Sequence, residues 1–221
     1  MSKIEKLLEL VEAFSSGKDL SSRIGDLEAK LASKDRAEVK NLLANEGVNE
    51  STLLSAVAIK ELAGQINVLI HAVGILVSLP YILEPEEKIQ SLSLGAGNTG
   101  REFDLETDQR VAEFKFITWR GGSESIRQNS LFIDLFSLVE HEAHRQRYLY
   151  VVGKEEPMRF LMHRRSISSV LSKNRAVWEE FRSKHGEKHS VVSEYYNAVR
   201  HLVRIVDLKD VVPVFTKLCE P

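Results

Sequence analysis

Phe103-Asp104-Leu105-Glu106-Thr107-Asp108-Gln109-Arg110-Val111-Ala112-Glu113-Phe114-Lys115-Phe116 has the pattern of a β-hairpin. Strand side chains alternate, so Phe103, Leu105, Ala112, Phe114 and Phe116 fall on one apolar face. Asp104, Glu113 and Lys115 fall on the other. With Asp108-Gln109 as the two turn residues, Thr107 pairs with Arg110, and counting back sets Asp104 opposite Glu113. Paired residues on one face have Cβ atoms roughly 5 Å apart, so two carboxylates would share a pocket. Like charges that close repel unless a cation joins them. Magnesium meets that need, because it takes one or two carboxylates and completes its shell with waters and phosphate oxygens.

Before the hairpin, Ile89 to Leu94 reads as a strand, and Glu84-Pro85-Glu86-Glu87-Lys88 as a loop. After it, Gly121-Gly122-Ser123 interrupts the chain. Ser125 to His141 then has the spacing of an amphipathic helix, with Leu131, Leu135 and Leu138 on one face. Tyr148 to Gly153 is a short β-rich run, and helix dominates from Met158 to a break at Val211-Val212-Pro213. The expected strands are thus 89–94, 102–106, 111–118 and 148–153. A helix crossing between the third and fourth implies a parallel pair, so the fold class expected is α/β, a mixed central sheet flanked by helices.

Residues 1 to 50 read as an N-terminal helical region broken near Ser15-Ser16-Gly17 and Ser33-Lys34-Asp35. Leu20, Ile24, Leu27 and Leu31 keep heptad spacing over too short a span to establish a coiled coil. A small helical bundle and a dimerisation arm both fit. Residues 51–221 form the second expected domain, with Ser51 as a helix N-cap. The run Ile66 to Leu79 is read as a buried core helix ending at Pro80, since it is short for a bilayer and holds Asn67 and His71.

The 221 residues carry a formal net charge of −2, so no overall basic field announces nucleic-acid binding. Hydrophobic residues at 43% suffice for a true core. The single cysteine, Cys219, excludes an intramolecular disulfide and thiolate zinc clusters, which makes a reducing, cytoplasmic setting the expectation. The N-terminus places charges where a secretion signal needs an apolar run.

Asp104 followed across a turn by Glu113-Phe114-Lys115, within an α-β-β-β-α-β order, resembles the PD-(D/E)XK, or restriction-endonuclease-like, nuclease superfamily. The resemblance covers roughly residues 51 to 155, and Phe103 stands where the motif's proline would be. It implies a magnesium-dependent phosphodiesterase, with manganese as a substitute, acting as an endonuclease on DNA. Asp104 and Glu113 would bind the metal, and Lys115 would orient the attacking water. Glu61, in the preceding helix with Gln65 one turn on, and Gln128, near the start of the next, would be second-rank participants. Such cores often work as homodimers, and no membrane partner is implied. An inactive module of the same fold that binds nucleic acid or protein remains the alternative.

The chemistry suits these residue types. Phosphodiester hydrolysis needs charge neutralised on the phosphate and a water held in line. A lysine is a compact point charge whose pKa falls readily on desolvation. A solvated hairpin face with ordinary ion pairs would look the same in sequence.

Arg145 to Arg175 holds eight Lys/Arg against Glu155 and Glu156, a local surplus that suits a phosphate-binding surface. Arg127, Arg145, Arg147, Arg164 and Arg165 are the candidate nucleic-acid contacts, although a solvated helix face would look alike. Gly95-Ala96-Gly97-Asn98-Thr99-Gly100 matches G-x-G-x-x-G, but a strand rather than a helix follows, so it reads as a bend. His141-Glu142-Ala143-His144 spaces its histidines three apart, not the four that a zinc-binding helix requires. Asp134 reads as the exposed side of its helix.

Overall fold

The computed structural model describes residues 5, 8, 9, 12, 14, 19–95, 102–116, 119, 124–141, 144–186 and 188–217. It divides into two compact units, Met1–Asn67 and Val68–Pro221.

The first unit contains α1 (Leu20–Leu31), α2 (Arg36–Asn45) and the beginning of α3 (Glu50–Ile82). Each start is marked by a side chain that accepts orphan N–H groups. Asp19 accepts from Ser22, and Asp35 forms a capping box with Glu38. At α3 the acceptor is Asn49 Oδ1, 3.2 Å from the Thr52 nitrogen. The expected cap, Ser51, therefore lies inside the helix. The break expected at Ser33-Lys34-Asp35 separates α1 from α2. The one expected at 15–17 lies outside the described residues. Arg23 is buried and reaches Glu46 Oε2 at 2.8 Å and the Phe14 carbonyl at 2.8 Å.

The second unit is built on a five-stranded sheet in the order β1 (Ile89–Leu92), β2 (Leu105–Thr107), β3 (Arg110–Lys115), β4 (Gln146–Val151), β5 (Arg204–Asp207). The first three are antiparallel, whereas β3, β4 and β5 run parallel. It is a mixed sheet flanked by helices, as the pattern of elements requires. α4 (Ser125–Glu140) makes the crossover from β3 to β4. Four short helices, α5 (Glu155–Leu161), α6 (Ile167–Val170), α7 (Arg175–His185) and α8 (Val192–Val199), connect β4 to β5. A 3-10 turn (Leu208–Asp210) and α9 (Pro213–Lys217) complete the described chain.

Alternation assigns the two faces. Val111, Leu149 and Val151 pack with Leu131, Leu135 and Leu138 of α4, and with Phe132, Phe181 and Tyr195. Ala112, Phe114, Tyr150 and Val152 pack on the other face, with Ile75 and Ile82 of α3, Leu105, Leu208 and Phe215. The hairpin is locked at its turn by a buried ion pair. Arg110 reaches Glu87 with Nε at 2.6 Å and Nη2 at 2.5 Å, and the Thr107 hydroxyl donates to the same carboxylate at 2.5 Å.

Four further sequence expectations change. The fifth strand lies where only helix was expected, because a four-residue edge strand leaves too little alternation to read. α3 does not stop at Pro80 but continues to Ile82, since a proline this near the end removes a single backbone bond. Nor is that segment a buried core helix. Ile75 and Ile82 are buried, while Val68, Leu69, Ile70, Val73, Leu76 and Val77 are exposed. By length and composition α3 would suffice to cross a membrane, and its C-terminal part packs one side into the protein core. Finally, Phe103 does not join Leu105. Residues 102–104 bend away from strand geometry, which breaks the period of two, and Phe103 packs on the α4 side with its ring 4.8 Å from that of His141.

Gly74 is needed where α3 meets the sheet. A Cβ there would lie 2.6 Å from the Phe116 ring, so only glycine permits this approach.

Candidate active site

Strand β3 supplies two polar side chains on the face toward α4, Glu113 and Lys115. The observed register, Leu105 opposite Ala112 and Glu106 opposite Val111, is the one a two-residue turn at 108–109 dictates. One further step brings Asp104 to the level of Glu113. Residue 104 is a bend rather than strand, and its side chain takes over a bond that β2 no longer supplies: Asp104 Oδ2 accepts the Phe114 N–H at 3.0 Å. Asp104 Oδ1 lies 3.2 Å from His71 Nε2 of α3. The Asp104 carboxyl group lies close enough to Glu113 for its charge to act on that side chain.

Lys115 Nζ lies 2.5 Å from Asp134 Oδ2 of α4. The contact is short but off the hydrogen-bonding direction, so it is an ion pair rather than a well-formed hydrogen bond. Three carboxyl groups thus surround one lysine and one histidine in a largely buried cluster.

That imbalance sets the protonation states. Burial raises the Glu113 pKa far above the usual carboxylate range, and the charges of Asp134 and Asp104 raise it further, with only Lys115 opposing. Burial also raises Asp104, but the His71 hydrogen bond and charge and the Phe114 N–H outweigh it and hold that carboxyl below its ordinary value. The two shifts run in opposite directions, which favours ionised Asp104 beside protonated Glu113 at neutral pH. Burial raises Asp134, against the pull of Lys115. Burial alone would lower Lys115, yet Asp134, Glu113 and Asp104 together carry it above the ordinary lysine value. Its expected fall on desolvation is reversed by these neighbours.

Asp104 and Glu113 offer oxygen donors only, which suits a hard divalent cation. A buried acid pair that must retain a proton is what such a cation would relieve. Among the described residues no group of three or more His, Cys, Asp or Glu converges as a metal cage. Magnesium does not require one, since it keeps several waters and binds through one or two carboxylates.

The remaining predicted residues are distributed as follows. Glu61 is exposed on α3 within the first unit. Gln128, in the first turn of α4, accepts from Arg165, so its amide faces that guanidinium. Arg127 pairs with Glu124, and Arg164 is exposed. Arg145 and Arg147 have structural work. Arg145 reaches Glu106 at 3.1 Å and the Thr107 carbonyl at 2.9 Å, whereas Arg147 donates to the Val139 and His141 carbonyls at the end of α4. Both lie at the beginning of β4, whereas Arg165 follows the helix beyond its end. Of the glycine bend, residues 96–100 lie outside the described residues, as do 142–143 of the histidine motif. His141 packs on Phe103 and approaches Glu102 at 3.5 Å.

Two members of the cluster, Asp134 and His71, were not selected from sequence. Asp134 stands three residues after Leu131 and four before Leu138, which is the buried face of α4 rather than the exposed one. His71 stands four before Ile75, on the side of α3 that meets the sheet. Both signals were present as periodicity. No family model matches the chain, and no curated protein or solved structure is significantly similar to it.

Proposed function

We propose that this chain is a divalent-metal-dependent nuclease that hydrolyses phosphodiester bonds in DNA from a restriction-endonuclease-like core. The observation that carries the proposal is that Asp104, held by the Phe114 N–H, stands at the level of Glu113, with Lys115 on the same strand beside it. Asp104 and Glu113 would hold the ion, magnesium or manganese. When bound, the ion would supply Lewis acidity at the scissile phosphate and a lowered pKa for its water. Lys115 keeps its positive charge at neutral pH and offsets charge developing on the phosphate. Asp134 positions that ammonium, and His71 orients Asp104.

The test is cleavage of supercoiled, linear and single-stranded DNA with magnesium or manganese, by wild type and by Glu113→Gln. The proposal expects metal-dependent cleavage that falls by at least a hundredfold in the variant. Equal activity in the two proteins would refute it.

A second reading has one observation in its favour. Lys115 is already engaged by Asp134, and an engaged lysine suits a module that binds nucleic acid or protein without cutting. That reading expects binding of DNA by both proteins and cleavage by neither.

A further inference from the structure

We propose that a second site, at the carboxyl ends of β3 and β4, binds one nucleotide unit of the substrate strand by stacking its base on Trp119 and pairing its phosphate with Arg159 and Arg165. This inference rests on the nuclease reading and assigns its substrate a subsite. A cavity of about 280 Å³ is lined there by Trp119, Gln128, Glu156, Arg159, Phe160, His163 and Arg165. The volume falls just below the usual range of small-molecule sites, which suits a single unit of a polymer.

Its position follows from topology. Trp119 comes four residues after Lys115, and α5, which carries Glu156, Arg159 and Phe160, begins directly after β4. Open α/β sheets bind their ligands at this end of their parallel strands. Gln128 and Asp134 are six residues apart on α4, or roughly 9 Å along its axis at 1.5 Å per residue. The cavity is thus offset from the acidic cluster along the same helix.

The chemistry of the lining favours a nucleotide. The Trp119 ring is half-buried, with its centroid 6.0 Å from that of Phe160, which fixes one aromatic wall. Every base has a π-face, so such a wall binds single strands without choosing a sequence. Arg165 is held by Gln128, and Arg159 pairs with Glu156 while remaining 72% exposed. A guanidinium on an exposed ion pair can turn to a phosphate at little cost, and its fork matches two phosphate oxygens. Arg159 and Arg165 outnumber Glu156, so the lining carries a positive surplus for an anion.

The test needs neither metal nor cleavage. In a Glu113→Gln, Trp178→Phe protein, Trp119 is the remaining tryptophan, and its fluorescence is followed while adenosine 5′-monophosphate, inorganic phosphate or a 12-nucleotide single strand is added. Saturable quenching by the nucleotide is expected, reversed by excess inorganic phosphate. Arg165→Ala should weaken it at least tenfold. Arg159→Ala, which removes an exposed side chain and spares the fold, should weaken it several-fold. The oligonucleotide should bind tighter than the monophosphate. Absence of saturable quenching, unchanged affinity in both arginine variants, or tighter binding of the free nucleotide would each overturn the subsite. Because the quenching protein is not expected to cut, quenching alongside a wild type that cuts no DNA would sink the nuclease proposal alone, and cutting by wild type without quenching in the variant would sink this one alone.

Discussion

Lys115 of β3 and Asp134 of α4 form an ion pair at 2.5 Å, across the face that carries the acidic pair. It ties the crossover helix to the strand that bears Glu113, and it places a third carboxyl group where its charge adds to burial in raising the Glu113 pKa. Structure and protonation are therefore coupled at one contact.

Removing one partner of this pair should be worse than removing both. Asp134→Asn leaves Lys115 facing weaker acceptors and should lower unfolding free energy by about 2 kcal/mol, given that the lysine is partly solvated. Adding Lys115→Met should recover part of that loss. Urea denaturation of the two single variants and the double variant gives the coupling energy. Strict additivity would show that the pair contributes nothing.

Glu113 predicts an inverted pH dependence of stability. Its folded pKa is raised above the ordinary glutamate value of 4.5, so the folded state retains a proton that the unfolded state has lost. Its contribution is full below that value and is lost as pH rises toward the folded pKa. Glu113→Gln mimics the protonated form, so in the absence of metal it should be more stable than wild type at pH 8, by more than about 1 kcal/mol. The two should converge near pH 4. Thermal melts across this range decide the point, and parallel curves would contradict the assignment.

Asp104 predicts the opposite slope. Its folded pKa is depressed by His71 and the Phe114 N–H, so its contribution is present above the ordinary aspartate value of 3.8 and is lost as pH falls through the folded value. His71→Ala should cost about 2 kcal/mol at neutral pH, the worth of one hydrogen bond to a charged group. The gap from wild type should close in acid. A constant gap at all pH values would mean that His71 acts through packing on Phe116 instead.

The hairpin that sets the Asp104–Glu113 register depends on Glu87 and Arg110, whose side chains are 0% and 6% exposed. Glu87→Ala leaves a buried guanidinium without its carboxylate and should cost about 3–5 kcal/mol. Chemical denaturation measures the loss. A cost under 1 kcal/mol would show that Tyr150, which accepts from Arg110 at 2.9 Å, suffices alone.

The sheet was legible wherever period-two alternation ran long enough. Val111 to Lys115 and the Asp108-Gln109 turn gave the antiparallel register directly, and the helix from Ser125 required the parallel step. Alternation could not reveal that the chain bends at 102–104, because Phe103 has the same chemistry whichever face it joins. β5 was hidden by its brevity, and α3 misled because apolar residues surround it on all sides, which resembles a buried helix. At the site, Asp104, Glu113 and Lys115 were readable as a local motif. Asp134 and His71 join them through tertiary packing, and their helical phase was the only trace in the sequence.

The central claim is that Asp104 and Glu113 converge to hold a divalent cation, and titration calorimetry of manganese into the metal-free protein measures it directly. One site per chain is expected, with release of about one proton as Glu113 ionises, seen by repeating the titration in buffers of different ionisation enthalpy. Asp104→Asn and Glu113→Gln should each abolish that site. Manganese binding that persists unchanged in both variants, or that releases no proton, would contradict the account.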